Sequence, residues 1–287
     1  LRLLCTKQKD KAALLAQKLG LTNRERQKLT EETLTHALGV VKGQALALEG
    51  LALSNLRKLL FVVDPSYNPG VIGLVAGKLV EEYYRPAIVV SKGEVYSKAS
   101  ARSINGFNIV EAIRSCSDIL VDVGGHPMAA GFTVETKNLS LLQERLEKLA
   151  DQELDESKLT RTLKIDVEIP FDLITTELCQ AIQQLQPFGF GNPEPVFVTR
   201  MILVKEARLV GADGKHLKLR VSSGTSSGVI PAKAGIQPTI DAIAFNMGNL
   251  YGRLQPDATV DLAYTISLDT WNGNSRLQLK VKDILVS

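Results

Sequence analysis

The sequence predicts a multi-domain protein in which an α/β domain is followed by a small all-β barrel. Two observations predict this fold class. In the first half, the apolar runs Leu59–Val63 and Ala87–Ser91 flank the helical stretch Val71–Tyr84, and this order is typical of a parallel strand–helix–strand unit. In the second half, short strand-like runs follow one another between turn signals. We therefore expect a helical connector over 1–58, the α/β domain over 59–155 and the barrel over 160–287.

Composition indicates a globular protein without a membrane span. Of the 287 residues, 45% are hydrophobic and 23% are charged, and the net charge is only +3, which argues against disorder and against indiscriminate polyanion binding. No apolar run is long enough to cross a bilayer. The cysteines Cys5, Cys116 and Cys179 are too scattered for a disulfide framework or a metal knuckle. This cysteine usage predicts a reducing, cytoplasmic location.

The connector is expected to start with the end of a strand at Leu1–Leu4 and to continue as two helices. The first helix, Asp10–Leu19, is expected to end at Gly20, because glycine is common just after helix C-termini. The second begins near Asn23, which can cap it, and runs from Arg24 to about residue 38. Dense charge and few apolar residues indicate a helix between two domains that packs along one narrow stripe.

The remaining elements of the α/β domain are predicted from alternation and capping signals. Val95–Ser103 alternates like a third strand, and Asn108 can cap a short helix. A further strand is expected at Ala130–Glu135. The amphipathic segment Leu139–Leu154 is expected to close the domain as a helix.

The barrel is predicted from several short strands and one helix, Ile174–Leu185. This content suits a small closed barrel of the OB type. Asn272-Gly273 favours a tight hairpin between the last two strands. The segment Ser223–Thr239, rich in glycine, serine and proline, is interpreted as an inserted surface loop. The strands are expected at 163–169, 196–204, 207–210, 216–222, 241–246, 259–268 and 275–283.

The turn Gly124-Gly125-His126 carries the clearest chemical signal. Two glycines allow a tight turn and a close approach of another group to the backbone. His126 is the one side chain of the turn that can donate, accept or carry charge near neutral pH. From the residues alone, a structural histidine and a functional histidine are equally good interpretations.

Several strings in the chain resemble those of one family. Gly-Gly-His-x-x-Ala-Ala-Gly at 124–131 resembles the signature of the DHHA1 domain, the substrate-side domain of the DHH phosphoesterase superfamily. Asn-Arg-Glu-Arg-Gln at 23–27, Pro-Gly-Val-Ile-Gly at 69–73 and Ser-Ala-Arg-Ser-Ile at 100–104 resemble motifs of the RecJ family of bacterial single-strand-specific exonucleases, in the same order. Phe-Gly-Phe-Gly-Asn-Pro at 188–193 resembles the turn that opens the OB-fold domain of that family. The resemblance covers nearly the whole chain.

The resemblance implies one part of a two-metal hydrolase. Enzymes of this family hold Mn²⁺ or Mg²⁺ with Asp and His residues of an N-terminal DHH domain, and the two ions clamp the attacking and leaving oxygens of a phosphodiester. This chain has only His36, His126 and His216, and it has no Asp-His-His string. We therefore expect the DHH domain and its metal ligands to be absent from this chain, which would not hydrolyse phosphodiesters by itself.

The resemblance also implies substrate contacts. His126 and the amides of Gly124 and Gly125 would face the metal cleft and hold the scissile phosphate, since free amides at such a turn form an anion-binding nest. Arg102 would contact the phosphate of the 5′ end, because its planar guanidinium suits that task. The other expected substrate contacts are Ser103, Arg24, Arg26 and Tyr67. Tyr67 and Asn68 stand where the family often has a Trp-His pair, so the sequence departs from the pattern there, and stacking of a base on Tyr67 is the role that remains.

Some of these roles have structural alternatives. For Arg102 the alternative is an ion pair with Glu111 or Asp118. For Arg24 and Arg26 it is a solvated helix face.

On the barrel, the resemblance implies binding of single-stranded DNA through cations and aromatic stacking. Alternatives stay open here, with Phe245 as a core residue, Trp271 as a packing partner in its hairpin, and Lys218 and Arg220 as a solvated strand face. The implied nucleic-acid contacts are Lys215, His216, Lys218, Arg220 and Trp271.

The function implied by the resemblance is that of the substrate-binding part of a 5′→3′ single-stranded DNA exonuclease in recombination and repair. The expected partners are single-stranded DNA and a single-strand-binding protein or helicase, with a monomeric chain and no membrane. Three alternatives remain: a non-catalytic single-strand-binding module, a smaller DHH-family phosphoesterase acting on oligonucleotides or nucleotides, and a decayed gene product.

Overall fold

The computed structural model describes residues 1–47, 56–211, 213–224, 239–269 and 276–286, the side chains of 45–47 excepted. The chain divides into two compact units, Leu1–Thr162 and Leu163–Ser287. The first unit is a mixed α/β structure and the second is a β-barrel. Within the described residues, no helix combines the length and the apolar character needed to span a bilayer.

One long helix dominates the start of the first unit. Helix α1 spans Arg2–Cys5, and α2 spans Lys9–Ala47 without a break. The predicted strand at Leu1–Leu4 and the predicted helix end at Gly20 are therefore wrong. A glycine inside a helix costs only about 1 kcal/mol relative to alanine, so it need not end the helix. Asn23 lies within the helix and contacts an arginine side chain one turn later at 2.9 Å.

The first unit contains a five-stranded sheet in the order β1-β2-β3-β5-β4. Strands β1 and β2 are parallel and are joined by α3, which confirms the predicted crossover unit; the other neighbours are antiparallel. The elements are β1 Leu60–Asp64, α3 Ile72–Tyr83, β2 Ala87–Ser91, β3 Tyr96–Arg102, α4 Ile109–Arg114, β4 Leu120–His126, β5 Ala129–Glu135 and α5 Leu139–Glu153.

Helices cover the two faces of this sheet unequally. One face is packed across its whole width, because alternate strand residues such as Phe61, Ala101 and Phe132 join one buried cluster with Ile109 of α4 and Leu142 of α5. On the other face, α2 and α3 form a second cluster with residues of β1 and β2 only. Helix α3 also lies against part of β3, at Gly73 and Ser100, whereas β5 and β4 contribute no residue to this second cluster and keep an uncovered face beside it.

The segment after α5 is tied to the first unit. Lys58 donates to the carbonyl oxygen of Leu154 at 2.5 Å, where α5 ends. The buried Arg85 donates to the carbonyl oxygen of Leu159 at 2.9 Å. The polar stretch Asp155–Thr160, which the sequence predicts as the boundary between the domains, is thus attached to the α/β unit.

The second unit is a closed five-stranded barrel of the OB type, as the strand content predicts. Its strands follow the order β7-β8-β9-β11-β10, and β10 pairs back with β7 to close the barrel. Neighbours are antiparallel except β9 with β11, and the short β6 adds to β7 in parallel. The elements are β6 Val167–Glu168, α6 Thr176–Gln183, β7 Phe197–Val210, β8 His216–Ser223, β9 Thr239–Ala244, β10 Thr259–Asp269 and β11 Arg276–Val286.

Three of the strands expected in the barrel differ from those observed. The strand expected at 163–169 has only two residues, and the strands expected at 196–204 and 207–210 form the single strand β7. The register of β7 shifts between Val204 and Glu206, and such a bulge interrupts the alternation of side chains. The alternation pattern therefore suggests a strand boundary where the strand only bulges. Most of the inserted segment Ser223–Thr239, and the turn Asn272-Gly273, lie outside the described residues.

Candidate nucleic-acid interface

Side chains alternate along the less covered face of β3, β5 and β4. On β3, Ala99 and Ala101 are buried in the core, whereas Lys98, Ser100 and Arg102 lie on the other side. Because the three strands pair in register, their outward residues form cross-strand rows, which we call the open face. The rows are Arg102–Ala129–His126, Ser100–Gly131–Gly124 and Lys98–Thr133–Asp122.

The row at the end of β3 places two nitrogen-bearing side chains on either side of a small one. Ala129 pairs with both Arg102 and His126. Since neighbouring strands lie about 4.8 Å apart, the two outer backbones are separated by roughly 10 Å. His126 is exposed, and the methyl group of Ala129 fills little of the space between the two longer side chains. The row therefore carries an arginine and a histidine side chain on the two strands that flank β5.

The hairpin that presents His126 requires one of its glycines. Gly125 has a φ of +146°, and a Cβ at this position would lie 2.3 Å from the carbonyl oxygen of Ala129. Only glycine adopts this backbone without strain. Gly124 has no atom within 4 Å of the position of a Cβ. Gly125 therefore shapes the turn, and Gly124 leaves the middle of the open face bare.

Arg102 is oriented towards the first turn of α3. Its guanidinium donates to the carbonyl oxygen of Ala101 at 2.8 Å and to Oγ of Ser100 at 3.3 Å. Gly73 of α3 makes room for both side chains, because a Cβ there would lie 2.9 Å from Oγ of Ser100 and 3.2 Å from Nη2 of Arg102. No side chain caps the N-terminus of α3, and unpaired amides at a helix N-terminus favour an anion.

The alternative ion pairs of Arg102 do not form. Glu111 pairs with Arg114 at 2.8 Å, and Asp118 pairs with Arg145 at 2.8 Å. Among the described residues, no carboxylate lies within ion-pair distance of Arg102. A partly buried guanidinium with a neutral hydroxyl beside it is suited to bind an anion from solution.

The structure contradicts two of the expected substrate contacts. Ser103 is buried, and its hydroxyl donates to the carbonyl oxygen of Phe107 at 2.6 Å. Tyr67 is only 3% exposed, and its hydroxyl lies 2.8 Å from Nδ1 of His36. Burial, with the carboxylate of Asp64 nearby, raises the pKa of Tyr67 to about 12. Tyr67 thus has no free ring face for a base, and Ser103 has no free hydroxyl for a phosphate.

Two residues of the open face are absent from the sequence-based set of contacts. Ser100 and Lys98 lie two and four residues before Arg102, and side chains repeat every two residues along a strand. The alternation of β3 is therefore the signal that could have placed both beside Arg102. Arg24 and Arg26 lie on the exposed first part of α2, so their part in substrate binding stays a prediction.

The outer surface of the barrel carries an exposed aromatic ring. Phe245 is 54% exposed, so its interpretation as a core residue is wrong. The ring of His216 meets it edge-on, with 5.3 Å between the centroids. Nδ1 of His216 accepts from the amide of Asn246 at 3.0 Å, which fixes the imidazole next to Phe245.

The cations predicted on the barrel are engaged with carboxylates. Lys218 lies 3.5 Å from Asp241, and Arg220 lies between Asp241 at 3.5 Å and Glu206 at 3.7 Å. Lys215 pairs with an aspartate of its own loop at 2.9 Å. The pairs of Arg220 with Glu206 and of Lys215 are exposed, and such pairs contribute only about 0–1 kcal/mol, so a phosphate can compete for these two cations. Trp271 lies outside the described residues.

A row of side chains crosses four barrel strands on the same surface. Strand pairing aligns Arg208 of β7, Lys218 of β8, Ile243 of β9 and Lys280 of β11. In the part of the chain that the structure describes, Arg208 and Lys280 form no ion pair. We call this set the barrel row. It joins three cations to an apolar side chain, a combination that suits a nucleic-acid strand.

Comparisons with known proteins identify both units. Residues 56–152 match the DHHA1 domain, and residues 165–283 match the RecJ OB domain. The single-stranded-DNA-specific exonuclease RecJ of Bacillus subtilis (strain 168) is 33% identical over 287 residues, which is 99% of this chain and 34% of that protein. The chain belongs to the RecJ family. RecJ of Escherichia coli (strain K12) is 30% identical over 95% of this chain and 45% of its own length, so the chain spans less than half of either relative.

A solved RecJ structure has the same fold. The crystal structure of RecJ from Thermus thermophilus in complex with Mn²⁺ matches 99% of this chain and 38% of its own, with a TM-score of 0.74 and 29% identity. The Mg²⁺ complex from the same organism gives a TM-score of 0.72 and 28% identity, over 99% of this chain and 39% of its own.

The described residues do not fit the metal ions of those RecJ structures. Nowhere in the described ranges do three or more His, Cys, Asp or Glu side chains come together. His36 and Asp64 approach one another to 3.9 Å, but they supply only two ligand groups. Hard divalent ions need clustered carboxylate or similar oxygen ligands. No step of hydrolysis is therefore assigned to a metal held by these side chains.

Proposed function

We propose that this chain is the substrate-binding part of a RecJ-type 5′→3′ single-stranded DNA exonuclease that acts in DNA recombination and repair, and that it does not hydrolyse phosphodiesters by itself. The observation that carries the proposal is Arg102 on the open face, partly buried and without a carboxylate partner among the described residues. Membership of the RecJ family supports single-stranded DNA as the ligand.

The open face binds the first phosphates of the strand. Arg102, Ser100 and the first turn of α3 hold the 5′-terminal phosphate, because a guanidinium, a hydroxyl and free helix amides all donate to phosphate oxygens. His126 and the hairpin at Gly125 hold the next phosphate across the row. The strand therefore leaves the 5′-phosphate along the direction Arg102 to His126.

The barrel binds other nucleotides of the strand. Arg208 and Lys280 of the barrel row attract phosphates, and Phe245 offers an exposed ring on which a base can stack. These contacts involve phosphates and the faces of bases, and none of them distinguishes one base from another by its hydrogen-bonding edge. Binding is therefore expected to be selective for single strands and tolerant of sequence.

The test is binding of a 5′-phosphorylated single-stranded oligonucleotide, measured by fluorescence anisotropy. Arg102→Gln is expected to weaken binding roughly tenfold, because it removes charge-assisted hydrogen bonds to the phosphate. The same change should leave a 5′-hydroxyl oligonucleotide almost unaffected. Equal affinity of the variant and the parent chain for the phosphorylated strand would contradict the proposal.

A matched control is Arg145→Gln. Arg145 belongs to α5 on the covered side of the sheet and pairs with Asp118, so its loss should not change DNA binding. Incubation of the parent chain with Mn²⁺ and a labelled strand tests the second half of the proposal. Strand binding without release of nucleotides is expected, whereas metal-dependent cleavage would show that the chain supplies its own metal ligands.

A non-catalytic single-strand-binding module is the second candidate function. The missing metal cluster within the described residues favours it. It differs from the first candidate because its affinity for a strand would not depend on a 5′-phosphate. Equal binding of phosphorylated and hydroxyl-ended strands would support it instead.

A further inference from the structure

One cation of the open face has no role in the proposed path of the strand. Lys98 lies on the same side of β3 as Ser100 and Arg102, two residues before Ser100. Its side chain is exposed, and it forms no ion pair with any described residue. The strand leaves the 5′-phosphate across the sheet towards His126, whereas Lys98 lies along β3 in a different direction.

Among the described residues, no carboxylate forms an ion pair with Lys98; Glu135, its diagonal neighbour on β5, pairs with Lys137 at 2.7 Å. The cross-strand neighbours of Lys98 on this face are Ser91 and Thr133, which are both neutral. The nearest acids of the same row are Asp64 and Asp122, each one strand further away and thus roughly 10 Å from the backbone of Lys98. Neither carboxylate is positioned by the pairing to neutralise the ammonium group.

The spacing along β3 indicates what Lys98 can bind. Two residues of a strand advance by about 6.6–6.8 Å, so the backbone of Lys98 lies one such step beyond that of Ser100, and both side chains leave the same side of the strand. The guanidinium of Arg102 leans back over Ser100, at 3.3 Å from its Oγ. Arg102, Ser100 and Lys98 thus line up as hydrogen-bond donors along β3. A short chain of directly linked phosphate groups has a length that matches this line of donors.

We propose that the open face contains a subsite for a 5′-polyphosphate, in which Arg102 and Ser100 hold the first phosphate and Lys98 holds the last phosphate of a triphosphate end. The inference rests on the proposed function, because it takes the 5′-terminal phosphate to lie at Arg102. A strand with a 5′-monophosphate leaves Lys98 without a ligand. A 5′-triphosphorylated strand or inorganic tripolyphosphate occupies the whole line of donors.

The test uses inorganic orthophosphate, pyrophosphate and tripolyphosphate as competitors against a labelled 5′-phosphorylated oligonucleotide bound to the whole chain. We expect tripolyphosphate to compete roughly tenfold better than orthophosphate, as one added charge-assisted contact implies. Lys98→Gln is expected to abolish most of this gain while orthophosphate competes as before. Lys148→Gln is the matched control, since Lys148 is exposed on α5 at the covered side of the sheet.

The outcomes separate this proposal from the one on which it rests. If competition still becomes stronger with the number of phosphates in Lys98→Gln, the subsite is overturned, because the increase would then reflect the charge of the anion alone. Equal competition by all three anions would overturn it as well. If Arg102→Gln changes neither oligonucleotide binding nor competition, the proposed function itself fails. A direct comparison of 5′-triphosphorylated and 5′-monophosphorylated strands, with the preference abolished only in Lys98→Gln, would support the subsite.

Discussion

At the scale of single residues, Gly125 connects the backbone geometry of the hairpin to the position of His126. Replacement by alanine would combine a φ of +146° with a Cβ 2.3 Å from a backbone oxygen of Ala129. We expect Gly125→Ala to destabilise the first unit by about 2–4 kcal/mol or to displace the hairpin. Faster hydrogen–deuterium exchange in peptides that cover β4 and β5 would report either effect.

Gly124→Ala provides the comparison. Gly124 is next to Gly125 in the same strand, but a Cβ there meets nothing within 4 Å. The exchange pattern of this variant should match that of the parent chain. Exchange at the rate of the parent chain in both variants would mean that the turn tolerates a side chain at either position.

Tyr264 makes the stability of the barrel sensitive to alkaline pH. Its side chain is fully buried and lies 2.6 Å from Oγ1 of Thr199, and burial raises its pKa from 10.0 to about 12. Below about pH 10 the phenol is neutral in the folded and unfolded chains, so its contribution to stability is complete. Between about pH 10 and 12 the unfolded chain ionises first, and stability falls by about 1.4 kcal/mol per pH unit.

Tyr264→Phe should therefore lose less stability than the parent chain between pH 8 and pH 11. Urea unfolding followed by tryptophan fluorescence measures this, because Trp271 is the only tryptophan and belongs to the second unit. At pH 8 the variant is expected to be less stable by about 1 kcal/mol, since it loses the hydrogen bond to Thr199. An alkaline loss equal to that of the parent chain would contradict the assignment to Tyr264.

At the scale of elements, the helix α2 shows where sequence reasoning failed. Gly20 and Asn23 are common at helix ends, and both predict a boundary, yet α2 continues through them. A local propensity difference of about 1 kcal/mol does not end this helix of 39 residues, which also continues through Gly39 and Gly43. The prediction of a cap at Asn108 is confirmed, because there its side chain accepts from the amide of Glu111 at the start of α4.

The open face shows how far a motif can locate a site. The string at 100–104 points to Arg102, and the structure leaves that guanidinium without an acidic partner among the described residues. The same string suggests Ser103, but the strand ends at Arg102 and Ser103 turns into the core. Alternation along β3 decides which serine faces solvent, because it puts Ser100 on the side of Arg102 and puts Ser103 on the buried side with Ala101.

At the scale of the whole molecule, a net charge of only +3 must be distributed locally to bind a polyanion. Each unit provides one such place. The first has the open face around Arg102, and the second has the barrel row with Arg208 and Lys280. The two differ in kind, because a 5′-terminal phosphate occurs once per strand, whereas internal phosphates repeat along it.

This difference predicts that the open face binds the 5′-terminal phosphate and the barrel row binds internal phosphates, and binding measurements can test the two separately. Arg208→Gln with Lys280→Gln should weaken binding of a long strand to the same extent whether its 5′ end carries a phosphate or a hydroxyl group. The slope of log affinity against log salt should fall by about 0.7 for each phosphate that the protein no longer neutralises. Arg102→Gln should instead remove the preference for the 5′-phosphate in long and short strands alike.

Lys205→Gln is the control for the barrel row. Lys205 also belongs to β7, but it pairs with Asp257 at 2.8 Å and lies outside the barrel row, so its loss should not change the salt slope. If the barrel variants abolish the preference for the 5′-phosphate, that preference does not belong to the first unit. If neither set of changes affects long strands, the cations of the two surfaces are solvated and do not bind the strand. The proposal requires two separate effects. Changes in the first unit should alter recognition of the 5′ end, and changes in the barrel row should alter the affinity for long strands whatever their 5′ end carries.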